Sequence, residues 1–240
     1  MAAEEIDATI APPQCLHADD DLLVLAKPAG LLCVPGRGEG KQDCLSARAA
    51  QYWPGALVVH RLDQATSGLV LMARNLPTQR RLSQAFADRQ VAKRYQAVVR
   101  GLPDQADGAW SDIDLPIAAD WERRPLRVID PARGKPSLTR WRACGQGAAA
   151  GTTRVELEPV TGRTHQLRVH LAAIGHPILG DALYADAATL ALAPRLLLHA
   201  SALAFDHPTH GRPCRFELPA DFDQIDLQPL PSKREQLFFQ

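Results

Sequence analysis

Two short apolar runs, residues 56–59 and 69–72, close around a polar segment that begins at His60 and ends at Gly68. Runs this short, rich in Val and Leu and bounded by turn residues, fold as buried strands rather than helices. The segment between them is therefore a loop held at both ends by a core. It carries one carboxylate, Asp63, with His60 and Arg61 before it and Thr66-Ser67-Gly68 after it. A loop positioned by a rigid scaffold is a common setting for catalytic groups. On local evidence alone, an aspartate ahead of Thr-Ser-Gly reads as a turn cap, so the rest of the chain must decide.

The other apolar runs extend the strand count. Residues 21–27 form a strand entering a turn at Pro28-Ala29-Gly30, and residues 31–34 a second strand stopped by Pro35-Gly36. Asp43 is placed to cap a short helix ending at Trp53, and Asn75 or Thr78 to cap a helix running to Arg89 with Leu82, Ala85 and Phe86 as its stripe. Further strands are expected at 95–99, 138–143, 153–158 and 196–205, with a mobile Gly/Ala-rich link at 145–151. Residues 102–135 read as a long loop or a small inserted hairpin. Gly162-Arg163-Thr164 turns into a helix whose apolar side is Leu167, Leu171 and Ile174, and residues 181–192 form another helix. Strands outnumber helices and do not alternate with them, so the fold class is α+β, with a mixed, mainly antiparallel sheet and flanking helices. No composition break divides the chain: residues 1–15 read as a flexible arm, 16–222 as one domain and 223–240 as a polar, weakly specified tail.

Composition narrows the setting. With 240 residues, 46% hydrophobic and 22% charged, the chain has the make-up of a globular domain. No apolar run reaches the ~18 residues of a membrane span, and the acidic N-terminus lacks the features of a signal peptide, so the expected location is the cytoplasm. Cys15, Cys33, Cys44, Cys144 and Cys214 are odd in number and scattered, which argues for reduced thiols and against a disulfide framework or zinc site. The formal net charge of zero hides a basic middle. Arg61, Arg74, Arg80, Arg81, Arg89, Lys93, Arg94 and Arg100 there face only Asp63 and Asp88. A local field of this sign attracts polyanions whatever the total.

His60-Arg61-Leu62-Asp63-Gln64-Ala65-Thr66-Ser67-Gly68 matches the H-R-L-D-x-x-T-S-G segment of the RluA-type pseudouridine synthases at every fixed position. Lys27-Pro28-Ala29-Gly30-Leu31, Lys93-Arg94-Tyr95, Gly134-Lys135 with Thr139, Thr161-Gly162-Arg163 with His165-Gln166-Leu167-Arg168-Val169-His170, Gly175-His176-Pro177-Ile178-Leu179-Gly180-Asp181 and Leu197-Leu198-His199-Ala200 resemble the family's other blocks in order. The resemblance runs from about residue 20 to 222. Val34-Pro35-Gly36-Arg37, Asp114-Leu115-Pro116-Ile117 and Asp120-Trp121 with Arg124-Pro125 are closest to the founding member, which acts on large-subunit rRNA and on the anticodon stem-loop of tRNAs. The matching blocks start too early to leave room for the S4 domain of many relatives, as in that member.

The resemblance implies an RNA isomerase. Asp63 would be the nucleophile, Arg168 the cation that keeps it ionised, and Tyr95 a ring stacked on the target uracil, with Leu198 packing on the other side. Arg61 would enter the space left by the flipped base, whose extrusion costs a few kcal/mol, and His60 would brace the loop. The Thr66 turn would fix the carboxylate, and Arg80 and Arg81 suit phosphate contacts. Arg123, Arg124 and Arg127 beside Trp121 suit the same role, with the indole able to stack on a splayed base. No cofactor or metal is required, the partner is RNA, no membrane is involved, and a monomer is expected. A single rRNA or tRNA target, an Asp-dependent N-glycosylase or nuclease, and a non-catalytic RNA chaperone are the alternatives. The lack of a second carboxylate near Asp63 counts against the glycosylase.

Overall fold

The computed structural model describes residues 12–101, 108–147 and 149–228. In chain order these form β1 (Gln14–Ala18), β2 (Leu22–Lys27), α1 (Leu45–Tyr52), β3 (Leu57–Val58), β4 (Ser67–Ala73), α2 (Leu76–Ala87) and β5 (Ala92–Arg100). There follow β6 (Ser111–Asp114), β7 (Ile117–Ala119), β8 (Arg127–Ile129), β9 (Leu138–Gln146), β10 (Thr152–Pro159), α3 (Gln166–Ala173), α4 (Ala187–Ala191), β11 (Leu198–Asp206), β12 (Pro213–Glu217) and a 3-10 turn, Phe222–Gln224. The architecture is α+β and mainly antiparallel. The chain gathers into two compact units, one taking in the chain to Ala92 with Ala202–Leu218, the other Lys93–Ser201 and the chain from Pro219.

In the first unit the strand order is β1-β2-β4-β11, with β12 beyond β11 and β3 on β4. Every residue of β2 and β4 is buried. Their antiparallel register runs from Leu22 opposite Ala73 to Lys27 opposite Gly68. Alternation puts Leu22, Val24, Leu69, Leu71 and Ala73 on one face, where Leu82 of α2, Val91, Leu203 and Phe205 complete a core. Each such side chain contributes about 1.5–3 kcal/mol on burial. Asn75 is the cap of α2, accepting from the Thr78 amide at 2.9 Å, while the Thr78 hydroxyl bonds Asp21 instead.

Three expectations fail in this unit. Residues 31–34 form no strand, only a parallel bridge from Leu32 to Cys44. Their carbonyls go elsewhere: Leu31 to Lys27 Nζ, and Leu32 and Cys33 to the amides of Leu45 and Ser46 at the start of α1. The α1 cap is Cys44, not Asp43, which makes a two-bond ion pair with Arg48 at 2.7 Å. Gln14 and Cys15, assigned to the flexible arm, pair with Ala26 and Leu25 in β1. Residues 1–11 of that arm lie outside the described residues.

In the second unit the first residues of β11 adjoin β5, and the order continues β10, β9, β6. The segment 102–135 folds as β6 plus the separate hairpin β7–β8, in register from Ile117–Ile129 to Ala119–Arg127, residues 102–107 lying outside the described residues. In the 145–151 link β9 continues through Gln146, and residue 148 is outside the description. Helix α3 is not the one-sided helix its leucines suggest, because all of Gln166 to Leu171 is buried. Its polar groups are satisfied instead. Gln166 donates to the Leu138 carbonyl and the Thr139 hydroxyl, both at 3.0 Å, and His170 bonds Thr139 and the Leu115 carbonyl, each at 2.9 Å. Burial holds His170 below the ordinary histidine range.

The helix expected at 181–192 is only α4, because two aspartates divide the segment. Asp181 Oδ1 accepts from the Leu183 and Tyr184 amides and closes a turn, and Asp186 caps α4 through the Thr189 amide at 2.7 Å. Gly180 is required before that turn: its φ is +70°, and an added Cβ would lie 1.9 Å from the Arg195 carbonyl oxygen. The start of the tail is also better specified than its composition suggests. Asp223 pairs with Arg154 and the Gln228 amide reaches the Leu192 carbonyl, next to the buried Phe222 and the Asp221–Arg195 pair at the end of the expected domain. Residues 229–240 lie outside the described residues.

Candidate active site

Lys27 sits where β2 leaves the sheet, 1% exposed, and its ammonium has three N–H groups for three carbonyl oxygens. These are Leu31 at 2.7 Å, Pro28 at 2.9 Å and Gln64 at 3.0 Å. Because Lys27 faces Gly68 across the ladder, the 28–31 turn and the 60–67 loop emerge at the same end of the strand pair. The two are cross-tied: the Gly30 amide donates to the Gln64 carbonyl at 2.9 Å, and Gln64 Nε2 to the Gly30 carbonyl at 3.0 Å. Gly30 adopts φ +88°, the left-handed conformation that only glycine takes cheaply. Burial brings the Lys27 amine down from 10.5 to about 8, against the pull of the Asp63 carboxylate, whose negative charge favours the ammonium.

Asp63 is half-buried on this loop, its carbonyl accepting from the Thr66 amide at 3.1 Å. The next buried residue back, Leu62, donates its amide to Cys33 Sγ at 3.2 Å. His60 stacks on Phe86, 4.4 Å between centroids, and its Nε2 accepts from the Leu71 amide at 2.9 Å. That bond fixes the tautomer with the proton on Nδ1. Thr66 is buried and Arg61 is exposed. On α2, Arg80 and Arg81 are both exposed, and Arg81 donates to the Pro208 carbonyl at 2.8 Å. The first unit thus gathers Asp63, Arg61, His60 and Thr66 on one loop, with Arg80 and Arg81 on the helix behind it.

The second unit holds Tyr95, Leu198 and Arg168. Tyr95 is half-buried on β5 opposite Leu157, and Leu198 is buried at the start of β11. Arg168 is the central group. It is 4% exposed and makes a two-bond pair with Asp181, Nε to Oδ2 at 2.8 Å and Nη2 to Oδ1 at 2.5 Å. Its guanidinium lies 5.2 Å from the centroid of the Tyr184 ring. The Tyr184 hydroxyl in turn meets His165 Nδ1 at 2.7 Å and accepts from the Arg127 amide at 2.9 Å. His165 holds φ +57° at the head of α3, a conformation non-glycine residues take at a cost and that recurs at functional sites.

Sequence reasoning assigned no task to Lys27, Asp181 or Tyr184, although all three lie in or beside the matched blocks. The available signal for Lys27 was a lysine directly following five apolar residues of a strand. Among the described residues, no cluster of three or more His, Cys, Asp or Glu side chains is arranged to hold a metal ion, and no helix is long and apolar enough to cross a membrane.

A carboxylate on a tied loop can form a covalent adduct with an electrophilic carbon, and a buried, oriented guanidinium can stabilise anionic charge. The chain is similar to known proteins. The model of a family described as RNA pseudouridylate synthase matches residues 21–173, from the start of β2 to the end of α3. The dual-specificity RNA pseudouridine synthase RluA of Escherichia coli is 45% identical over 216 residues, 88% of this chain and 97% of the relative. That of Pasteurella multocida is 43% identical over 207 residues, 86% of this chain and 93% of the relative. The solved structure titled human RNA pseudouridylate synthase domain containing 1 has a TM-score of 0.75 at 29% identity, covering 94% of this chain and 93% of its own.

Proposed function

Because the chain belongs to the RNA pseudouridylate synthase family and converts uridine in RNA to pseudouridine, we propose that Asp63 is the nucleophile of that isomerisation. The bond from N1 of uracil to C1′ of the ribose breaks, the base turns, and C5 is joined to C1′. The proton lost from C5 and the one gained at N1 balance, so no external donor or redox partner enters. Asp63 holds the substrate covalently while the base turns, and the carboxylate leaves with its electron pair as the bond between C5 and C1′ is completed, so no water is consumed. Arg168 supplies the positive charge that keeps a carboxylate ionised out of water. Tyr95 stacks on the uracil, with its hydroxyl near the C5 proton, and Leu198 closes the other side. Arg61, exposed two residues before Asp63, fills the space of the flipped base, while His60 and Thr66 hold the loop in shape.

The observation that carries this reading is the anchoring of the Asp63 loop by the saturated ammonium of Lys27. A nucleophile is useful only in a fixed geometry, and misplacement by about 1 Å costs roughly 100-fold in rate. Both curated relatives quoted above are named dual-specificity enzymes. Two targets, large-subunit rRNA and the tRNA anticodon stem-loop, are proposed for this chain. Carbodiimide labelling and primer extension on total RNA, with and without the gene, test this. One pseudouridine stop in each RNA class is expected to disappear together, whereas loss from one class only refutes dual specificity.

The anchor predicts a pH dependence. Above pH 8 the folded protein releases the Lys27 proton while the unfolded chain keeps it up to 10.5. The unfolded state then binds more protons, so this group's contribution to stability rises with pH across that window. Activity moves the other way, because a neutral amine has two N–H groups for three carbonyls and the Asp63 loop loses a tie. Turnover is expected to fall above about pH 8 in the intact enzyme, and the break to vanish in Lys27→Met, at lower overall activity. Rate profiles from pH 6 to 10, taken with melting curves, check both signs. An unchanged break in Lys27→Met would sink the assignment.

A further inference from the structure

The hairpin β7–β8 ends in a feature the fold does not use. Trp121 is 72% exposed, more than any other large hydrophobic side chain among the described residues. It is nevertheless held in a built turn. The Asp120 amide donates to the Leu126 carbonyl at 3.1 Å, and the Leu126 amide to the Arg123 carbonyl at 2.9 Å. Asp120 also accepts from the Arg123 amide at 3.0 Å and the Arg123 Nε at 2.8 Å. The Arg124 guanidinium carbon lies 4.4 Å from the Trp121 ring centroid. The tip is thus a displayed indole carrying a stacked cation, on a turn that is hydrogen-bonded before any partner arrives.

The charge is right for a polyanion. Asp120 is engaged with Arg123 and Asp130 with Arg133, and against the one remaining acid of residues 117–135, Glu122, the segment carries Arg124, Arg127 and Lys135. Placement is right as well. Where the turn rejoins the hairpin, opposite Ala119, the Arg127 amide donates to the hydroxyl of Tyr184, whose ring lies against the Arg168 guanidinium. Whatever docks on the tip is therefore connected, through the first residue of β8, to the ring that packs against Arg168.

We propose that this hairpin is a finger for the substrate's loop: Trp121 stacks on an unpaired base while Arg124 meets the adjoining phosphate. The inference rests on the assignment of Arg168 to the reaction. The ligand is a splayed nucleotide of an RNA loop and not a duplex, because bases in an A-form stem are already stacked and offer no free face. Aromatic stacking on a free base is sequence-tolerant, so such a finger serves an enzyme that must accept loops of two different RNAs.

The test is binding. The probes are a synthetic RNA stem-loop with uridines in a seven-nucleotide loop, of about the anticodon type, and a blunt duplex of the same stem. Fluorescence anisotropy gives Kd for the intact chain and for Trp121→Ala, Trp121→Phe and Arg124→Ala. Trp121→Ala is expected to weaken the stem-loop roughly tenfold, the scale of one lost base stack, with Trp121→Phe close to the intact protein. Arg124→Ala weakens the stem-loop and flattens its salt dependence, and the duplex is bound equally by the intact protein and both tryptophan variants. Unchanged stem-loop affinity in Trp121→Ala, equal losses on both RNAs, or an intact protein with no preference for the loop each overturn the proposal. Since the readout is binding, a failure here leaves the role of Asp63 standing, and a failure of Asp63 as nucleophile leaves this result standing.

Discussion

Asp63→Asn is expected to abolish pseudouridine formation, lowering the rate by roughly 10⁴-fold or more, the scale of removing a covalent nucleophile. The substitution keeps the shape of the side chain and the backbone tie from the Thr66 amide to the residue 63 carbonyl. The cross-ties of Gln64 with Gly30 and of Lys27 with the Gln64 carbonyl do not involve the carboxylate either. RNA binding is therefore expected to survive within a few-fold. One neighbour does respond: Asp63 favours the charged form of Lys27, so its neutralisation pushes the Lys27 amine further below its ordinary range. Nucleoside analysis of digested RNA measures the product, and a gel-shift series the binding. A variant that still converts uridine at near the intact rate refutes the nucleophile, whereas one that loses product and binding together shows a collapsed loop rather than missing chemistry.

What was legible in the sequence is what local physics determines. The run at 69–72 became β4 because Val and Leu bounded by Gly and Asn leave a short buried strand as the economical solution, and Asn75 caps α2 because its side chain offers the amide of Thr78 an acceptor. Partnerships between distant residues were not legible. Residues 31–34 have strand composition, yet Lys27 and the head of α1 claim their carbonyls. Arg168 lies beside Leu167 on α3, and helical periodicity does not report that Asp181, 13 residues on, turns back to pair with it. Two further bonds to the same aspartate explain the missing helix at 181–185: a side chain that accepts two amides of its own turn competes with helical hydrogen bonds. The order just beyond Phe222 was not legible either, as the tail from 223 carries no periodic signal, although Asp223 pairs with Arg154 and the Gln228 amide reaches the Leu192 carbonyl.

Asp181 is the second position where one atom group supports a great deal, and its replacement carries the largest expected loss of stability. Asp181→Ala removes both bonds to a guanidinium that is 4% exposed, and breaking a buried pair from one side costs about 3–5 kcal/mol. It also releases the Leu183 and Tyr184 amides, and with them the turn that sets the Tyr184 ring beneath Arg168. At roughly 2–4 °C per kcal/mol for a chain of this size, melting is expected to fall by about 6–20 °C. Asp181→Asn separates orientation from charge. Its oxygen still accepts from the two turn amides, so the fold is largely kept, but its NH₂ group confronts a guanidinium that also only donates. That variant is expected to bind RNA normally and to turn it over at least tenfold more slowly, the signature of a mis-aimed arginine rather than a lost structure. Arg168→Ala combined with Asp181→Ala should cost less than the sum of the two single changes, since neither charge is then left buried against an absent partner. Melting points that add without coupling, or an Asp181→Asn enzyme with unchanged turnover, would show that Asp181 only fills space beside Arg168 and that the arginine takes its orientation from other contacts.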